Sequence, residues 1–175
     1  MTLRFFVVGI LLGLLSACVS LTPPAEDEVT FAFDVPSDLN SWSANGKFSF
    51  RSPESRDSGQ FYWNQNGEDY LLRLVGPFGV GTAEVEQIAG SLVIRSRGET
   101  YQGEVTDQLL LELTGVSVPV NQLSNILLGD HQALQNAWRV DYQTAMEVED
   151  YLLPERLTLT SGNQELQIFI SRWSI

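Results

Sequence analysis

The sequence predicts a mainly β fold: short antiparallel strands form a curved sheet or incomplete barrel, interrupted by a helical insert. Three observations carry this. Apolar and polar residues alternate with a period of two from Trp42 onward. Breaks rich in glycine or proline recur at intervals of about 8 to 12 residues. Between Thr106 and Gly129 the apolar spacing turns helical.

In the first strand Trp42, Ala44, Gly46, Phe48 and Phe50 share one parity, and Ser43, Asn45, Lys47, Ser49 and Arg51 share the other. That is a half-buried strand with one aromatic face. Pro53 to Ser58 reads as a turn, and Gln60 to Asn64 as a strand with Phe61 and Trp63 on one face. Gly67 breaks it. Tyr70, Leu72 and Leu74 then alternate with Leu71, Arg73 and Val75. Strands are expected at Thr82 to Gln87, at Ser91 to Ser96 and briefly near Thr100 to Gly103. Thr106 or Asp107 can cap a short helix containing Leu109, Leu110 and Leu113, ended by Gly115. Pro119 can open a second helix carrying Val120, Leu123, Ile126 and Leu127, with Gly129 at C′. Alternation returns at Trp138, Val140 and Tyr142, at Leu157 and Leu159, and at Leu166, Ile168 and Ile170. The pattern permits either a solid core or an enclosed apolar cavity.

The N-terminus carries an export signal. Arg4 precedes the apolar run from Phe5 to Leu15, which has signal-peptide length and is short for a bilayer-spanning helix of about 20 residues. Leu15-Ser16-Ala17-Cys18 then resembles the bacterial lipobox, in which the cysteine thiolate accepts a diacylglyceryl group. Residues 1–17 are thus expected to be removed. Cys18 is expected to carry N-acyl and S-diacylglycerol groups, including palmitate-like chains that hold the protein at a membrane. Val19, where the inner-membrane retention rule has Asp, implies the outer membrane. Residues 18–40 contain Pro23, Pro24 and Pro36 beside Glu26, Asp27 and Glu28, and read as a tether that could end in a short element around Phe31 and Phe33. A single β domain spans residues 41–175.

Charge and chemistry exclude several functions. The net charge is −12, and loss of Arg4 with the signal leaves nine basic residues against 22 acidic, or −13. Lys47 is the only lysine. Such a chain repels nucleic acid and anionic headgroups, so membrane contact must be apolar or covalent. Catalytic residues, metal ligands and cofactors are each expected to be none. The only histidine, His131, reads as a solvated loop residue, Cys18 is consumed by lipid, and no G-x-S-x-G occurs. Gly79-Val80-Gly81 lacks the rest of a dinucleotide loop. Glu84 and Glu86 share a strand face and read better as a solvated surface than as an acid–base pair, as do Glu147, Glu149 and Asp150.

Pro77-Phe78-Gly79-Val80-Gly81 sits between two strands. Its composition suits a tight turn, and Phe78 either folds back under the sheet or forms an exposed apolar tip flanked by Val80. With this loop, several other pieces resemble the LolB family of outer-membrane lipoprotein receptors. They are Trp42-Ser43-Ala44-Asn45-Gly46-Lys47-Phe48, Phe61-Tyr62-Trp63, Leu113-Thr114-Gly115 through Pro119, Leu127-Leu128-Gly129, Leu153-Pro154 through Leu157-Thr158-Leu159, and the last strand into Trp173.

The resemblance implies an unclosed antiparallel β-barrel of about ten strands, LolA/LolB-like, with a short helical lid over an apolar cavity. It implies a protein-transport chaperone, not an enzyme, that faces the periplasm. Such a receptor accepts acylated lipoproteins from a soluble LolA-like carrier and inserts them into outer-membrane phospholipid. It would act as a monomer. The expected cavity residues are Phe48, Phe50, Phe61, Trp63, Leu72, Leu74, Ile126 and Leu127, and the expected membrane-insertion loop is Phe78 with Val80, where the family has an exposed leucine. Two places depart from the family: Asn125 stands where a lid tryptophan is expected, and Gly129 to Trp138 is short enough to cost a strand. The alternative, from another class, is a structural outer-membrane lipoprotein whose solid-cored β domain binds an envelope protein. An esterase-like enzyme is disfavoured by the missing nucleophile and base.

Overall fold

The structure, a computed structural model, describes residues 31–33, 35, 39–79, 81–103, 120–130 and 138–175, and for Phe78 and Asn121 the backbone alone. The signal segment, Cys18, Val80, the first helical stretch through Pro119, and His131 lie outside the described residues.

The elements run β1 (Ser41–Arg51), β2 (Arg56–Asn66), β3 (Asp69–Val75), a 3-10 turn (Pro77–Gly79), β4 (Thr82–Ile88), β5 (Ser91–Ser96) and β6 (Glu99–Gly103). They continue with α1 (Val120–Leu127), β7 (Arg139–Val148), β8 (Tyr151–Ser161) and β9 (Gln164–Ser174). All nine strands form one antiparallel sheet in the order β6-β5-β4-β3-β2-β1-β9-β8-β7. β6 and β7 end the order without pairing to each other, so the barrel is unclosed. The described residues thus hold nine strands against an expected ten or so. Chain reversal by tight turns gives the hairpin order, and β1 joins the two halves by pairing with both β2 and β9.

The period-two pattern becomes one buried face. In β1 Trp42, Ala44, Gly46 and Phe50 are buried while Lys47 is exposed. In β2 Phe61 and Trp63 are buried between exposed Gln60, Tyr62 and Asn64. Register carries the face across the sheet: Trp63 opposes Ala44 and Leu72, Leu72 opposes Val85, and Val85 opposes Ile94. On the other side Phe48 opposes Ile168, which opposes Leu157. Within the stretch read as tether, Phe31, Phe33, Val35 and Leu39 pack against this core. Phe31 and Phe33 lie in no helix or strand, and their rings stack at 5.6 Å.

Two stretches differ from expectation. β2 begins at Arg56, inside the segment read as a turn. The reversal needs only Ser52 to Ser55: the Ser52 amide donates to the Ser55 carbonyl at 2.9 Å, and the Ser52 hydroxyl accepts from the amides of Glu54 and Ser55. Arg56, Asp57 and Ser58 are polar yet pair with Arg51, Phe50 and Ser49. β7 and β8 also run on through Val148 and Tyr151, where alternation is lost. Register shifts near Thr144 explain the loss. Pro154 lies beside that irregularity, the kind of place where a strand tolerates a missing amide donor.

Candidate functional site

The eight residues expected to line a cavity share the buried face. Phe50, Phe61, Trp63, Leu72, Ile126 and Leu127 are buried, and Phe48 and Leu74 are half-buried against the same cluster. An aromatic row crosses it: Trp42 lies 5.3 Å from Trp173 and 6.1 Å from Trp63, and Trp63 stacks on Tyr70 at 4.9 Å. Such rings bury large apolar area and hold defined geometry. The Trp173 indole donates to the Pro154 carbonyl at 3.0 Å, and the Trp63 indole donates to the Gln65 side-chain carbonyl at 2.7 Å.

The helix α1 supplies a cover. Its spacing places Leu123, Ile126 and Leu127 on one buried side. It ends as expected at Gly129, whose φ of +96° lets the Gly129 amide reach the Ile126 carbonyl and the Asp130 amide reach the Asn125 carbonyl, each at 3.0 Å. The Phe33 ring lies against the face of Gly129 where any side chain would start. Asn125, where the resemblance leads one to expect a lid tryptophan, is exposed on this helix.

A cavity of about 780 Å³ opens at the C-terminal end of α1. Phe33, Trp42, Gln65, Tyr70, Asn125 and Leu128 are among its lining residues, and exposed Glu68 and Asp130 also contribute. None of the eight expected residues lines this cavity. They form the packed face that continues from it through the Trp42–Trp63–Tyr70 stack. The cavity residues were not singled out from sequence. Trp42, Gln65 and Tyr70 share parity with residues that were, but Phe33 and Gly67 reach the site only through the segment before β1 and the β2–β3 turn. The Tyr70 hydroxyl is buried and has no hydrogen-bond partner among the described residues. Burial pushes its pKa up to about 12, so it stays protonated.

The loop between β3 and β4 is short and closed at its base. The Gly76 amide donates to the Gly81 carbonyl at 2.9 Å, and the Gly79 amide to the Gly76 carbonyl at 3.2 Å. Gly79 and Gly81 have φ of +74° and +77°, so glycine supplies the backbone conformation that the turn requires. Pro77, Gly79 and Gly81 are exposed. The Phe78 side chain and Val80 lie outside the described residues.

On the opposite face of the sheet, Glu84 bonds Arg73 at 2.8 Å and Glu86 bonds Arg95 at 2.7 Å. Cross-strand pairing at a solvated surface accounts for these acids. Among the described residues no group of three or more His, Cys, Asp or Glu could hold a metal ion.

Residues 40–173 match the family model described as Outer membrane lipoprotein LolB. The Outer-membrane lipoprotein LolB of Halorhodospira halophila is 31% identical over 190 residues, covering 96% of this chain and 94% of the relative. The protein of the same name from Tolumonas auensis is 30% identical over 149 residues, covering 77% of each. That of Pseudomonas syringae is 29% identical over 200 residues, covering 99% and 97%. Among solved structures, a LolA superfamily protein from Nitrosomonas europaea aligns with a TM-score of 0.44 at 9% identity, covering 79% of this chain and 87% of that one. With a family model matched from the start of the sheet to Trp173, the chain belongs to the LolB family of outer-membrane lipoproteins.

Proposed function

We propose that this protein is an outer-membrane receptor that takes acylated lipoproteins from a soluble LolA-like periplasmic carrier and inserts them into the outer membrane. The observation that carries this is the one-sided apolar face of an unclosed sheet, covered among the described residues by the eight-residue helix α1 and bordered through Trp42 and Tyr70 by a 780 Å³ cavity. Acyl chains would enter through the cavity and run along Phe48, Phe50, Phe61, Trp63, Leu72 and Leu74 beneath Ile126 and Leu127. No covalent chemistry is involved. Directionality needs only increasing affinity from carrier to receptor to bilayer, each step of about 1.4 kcal/mol giving tenfold.

In the same reading residues 1–17 are a cleaved signal, and Cys18 bears the acyl groups that hold the protein in the outer membrane. The tether lies within residues 18–40, of which Phe31, Phe33, Val35 and Leu39 pack against the core. Phe78 and Val80 form an apolar tip that meets the bilayer.

Depleting the protein and locating other lipoproteins tests the reading. They should accumulate on the carrier or at the inner membrane. An unchanged distribution would reject the receptor and favour a structural role. A second test compares Trp63→Glu, which puts a charge on the apolar face, with Lys47→Glu on the exposed side of β1. Acyl-probe binding should fall in the first and hold in the second. Should Trp63→Glu fail to fold, Leu74→Gln at a half-buried position makes the same comparison.

A further inference from the structure

Among the described polar residues lining the cavity, Tyr70 alone has a side-chain polar atom that is buried without a hydrogen-bond partner. Gln65 is committed, since its carbonyl accepts from the Trp63 indole and its amide donates to the Gly67 carbonyl at 2.8 Å. Gln87 donates to the Glu68 carbonyl at 3.0 Å. Tyr70 is 6% exposed, and its buried hydroxyl has no partner among the described residues. Stacking on Trp63 needs only the ring, so phenylalanine would pack equally well without losing the hydration of an oxygen. A buried hydroxyl without a partner is a cost that native structures seldom carry without a use. Tyr70 lines the cavity and stacks on Trp63 of the apolar face, so it stands where the boundary between alkyl chain and polar head of a lipid would fall.

We propose that the Tyr70 hydroxyl donates a hydrogen bond to an ester carbonyl of the cargo's diacylglyceryl group. This rests on the acyl-receptor reading and deepens it: the apolar face takes alkyl chains, and Tyr70 fixes how far they enter. The donor is suited to the task. Phenol is protonated throughout the range in which the protein works, and an ester carbonyl accepts without donating. A hydrocarbon with no carbonyl would leave the hydroxyl as it is now. The bond would therefore select a lipid by the linkage at the base of its chains.

The test uses the mature protein anchored in nanodiscs and short-chain ligands titrated by calorimetry, with empty nanodiscs as the blank. The ligands are a diacylglyceryl-cysteine peptide, its dialkyl ether counterpart, and the ester and ether forms of a short-chain phosphatidylglycerol. The native protein should prefer the peptide's ester over its ether by about fivefold, the usual net worth of one hydrogen bond. Tyr70→Phe should abolish that preference without lowering the melting temperature. Binding of ester and ether peptides with equal affinity overturns the Tyr70 assignment alone, as does a preference that survives in Tyr70→Phe. A preference confined to the phospholipids overturns the cargo assignment. If no peptide binds the native protein, the receptor reading fails and the Tyr70 assignment fails with it.

Discussion

The hydroxyl of Tyr142, on strand β7, donates a 2.8 Å hydrogen bond to the carbonyl of Ile126 in α1. Ile126 is fully buried, so this bond lies between the helix and the apolar face, out of water. The Phe33 ring meets Tyr142 edge-on at 4.9 Å, which places the N-terminal segment against the same junction. An edge strand, the covering helix and the chain before the sheet thus converge on one phenol.

Tyr142→Phe should loosen α1 without disturbing the sheet. The lost bond contributes about 1 kcal/mol net. The Ile126 carbonyl keeps the Gly129 amide as a partner, so the larger penalty of an orphaned acceptor does not arise. Hydrogen exchange at the α1 amides should speed up about fivefold while the β1 amides hold. Equal acceleration in β1 and α1 would mean that Tyr142 supports the whole domain and not its cover.

Gly129→Ala should destabilise by about 1–3 kcal/mol in urea unfolding. Two terms add: φ is +96°, and the new methyl would start 2.5 Å from the Phe33 ring. Phe33→Ala in the same chain should relieve the steric part and leave the backbone part. Alanine at 129 that costs nothing would show that the Phe33 segment moves aside freely.

Alkaline pH should weaken the fold through Tyr70 and Tyr142. Burial raises the pKa of both, that of Tyr70 to about 12, and for Tyr142 the charge of Asp130 adds to it. An acid whose folded pKa exceeds its unfolded value of 10 gives stability fully present below pH 10 and lost as pH rises toward the folded value. Tyr70 alone accounts for roughly 2–3 kcal/mol between pH 10 and 12. Tyr70→Phe should flatten that part of the profile. A profile unchanged by Tyr70→Phe would place the hydroxyl in contact with water.

Where one residue's environment repeats every second position, sequence alone revealed the fold. β1 is the clearest instance, since Trp42 to Phe50 alternate in sequence and Trp42, Ala44, Gly46 and Phe50 are buried accordingly, with Phe48 half-buried. The same parity brought Phe61, Trp63 and Leu72 together across the sheet before any register was known. The period is lost near Thr144, because a register shift changes which face a residue meets, and half of β8 went unread with it. The cavity was less legible for a different reason. Beyond the strand residues Trp42, Gln65 and Tyr70, its wall is assembled from a segment before the sheet, a hairpin turn and a helix end, and no local period links Phe33, Gly67 and Leu128. Tyr70 could have been noticed as the single hydroxyl-bearing ring on an otherwise apolar face of β3.

Phe78→Glu should block delivery and spare uptake. The backbone around the residue is fixed locally: Gly76 and Gly81 close the loop, the 3-10 turn spans Pro77–Gly79, and both flanking positions are exposed. A side chain at such a tip need not obey the parity of β3 or β4. Phe transferred from water into lipid gains roughly 1.5–3 kcal/mol, about ten- to hundredfold in the lifetime or occupancy of a membrane-facing orientation. The acyl groups proposed on Cys18 already anchor the protein, so that gain goes to seating the β3–β4 end of the sheet on the bilayer. Glutamate at 78 reverses it, and an already acidic chain has no lysine or arginine within the loop to compensate. Incorporation of cargo into liposomes should fall tenfold or more, while the melting temperature and cargo uptake from the carrier stay near native. Phe78→Leu should be close to neutral, because bulk and apolarity are retained. Loss of several kcal/mol of stability in Phe78→Glu would identify Phe78 as part of the core, and native liposome transfer in a folded Phe78→Glu protein would remove the loop from the delivery step.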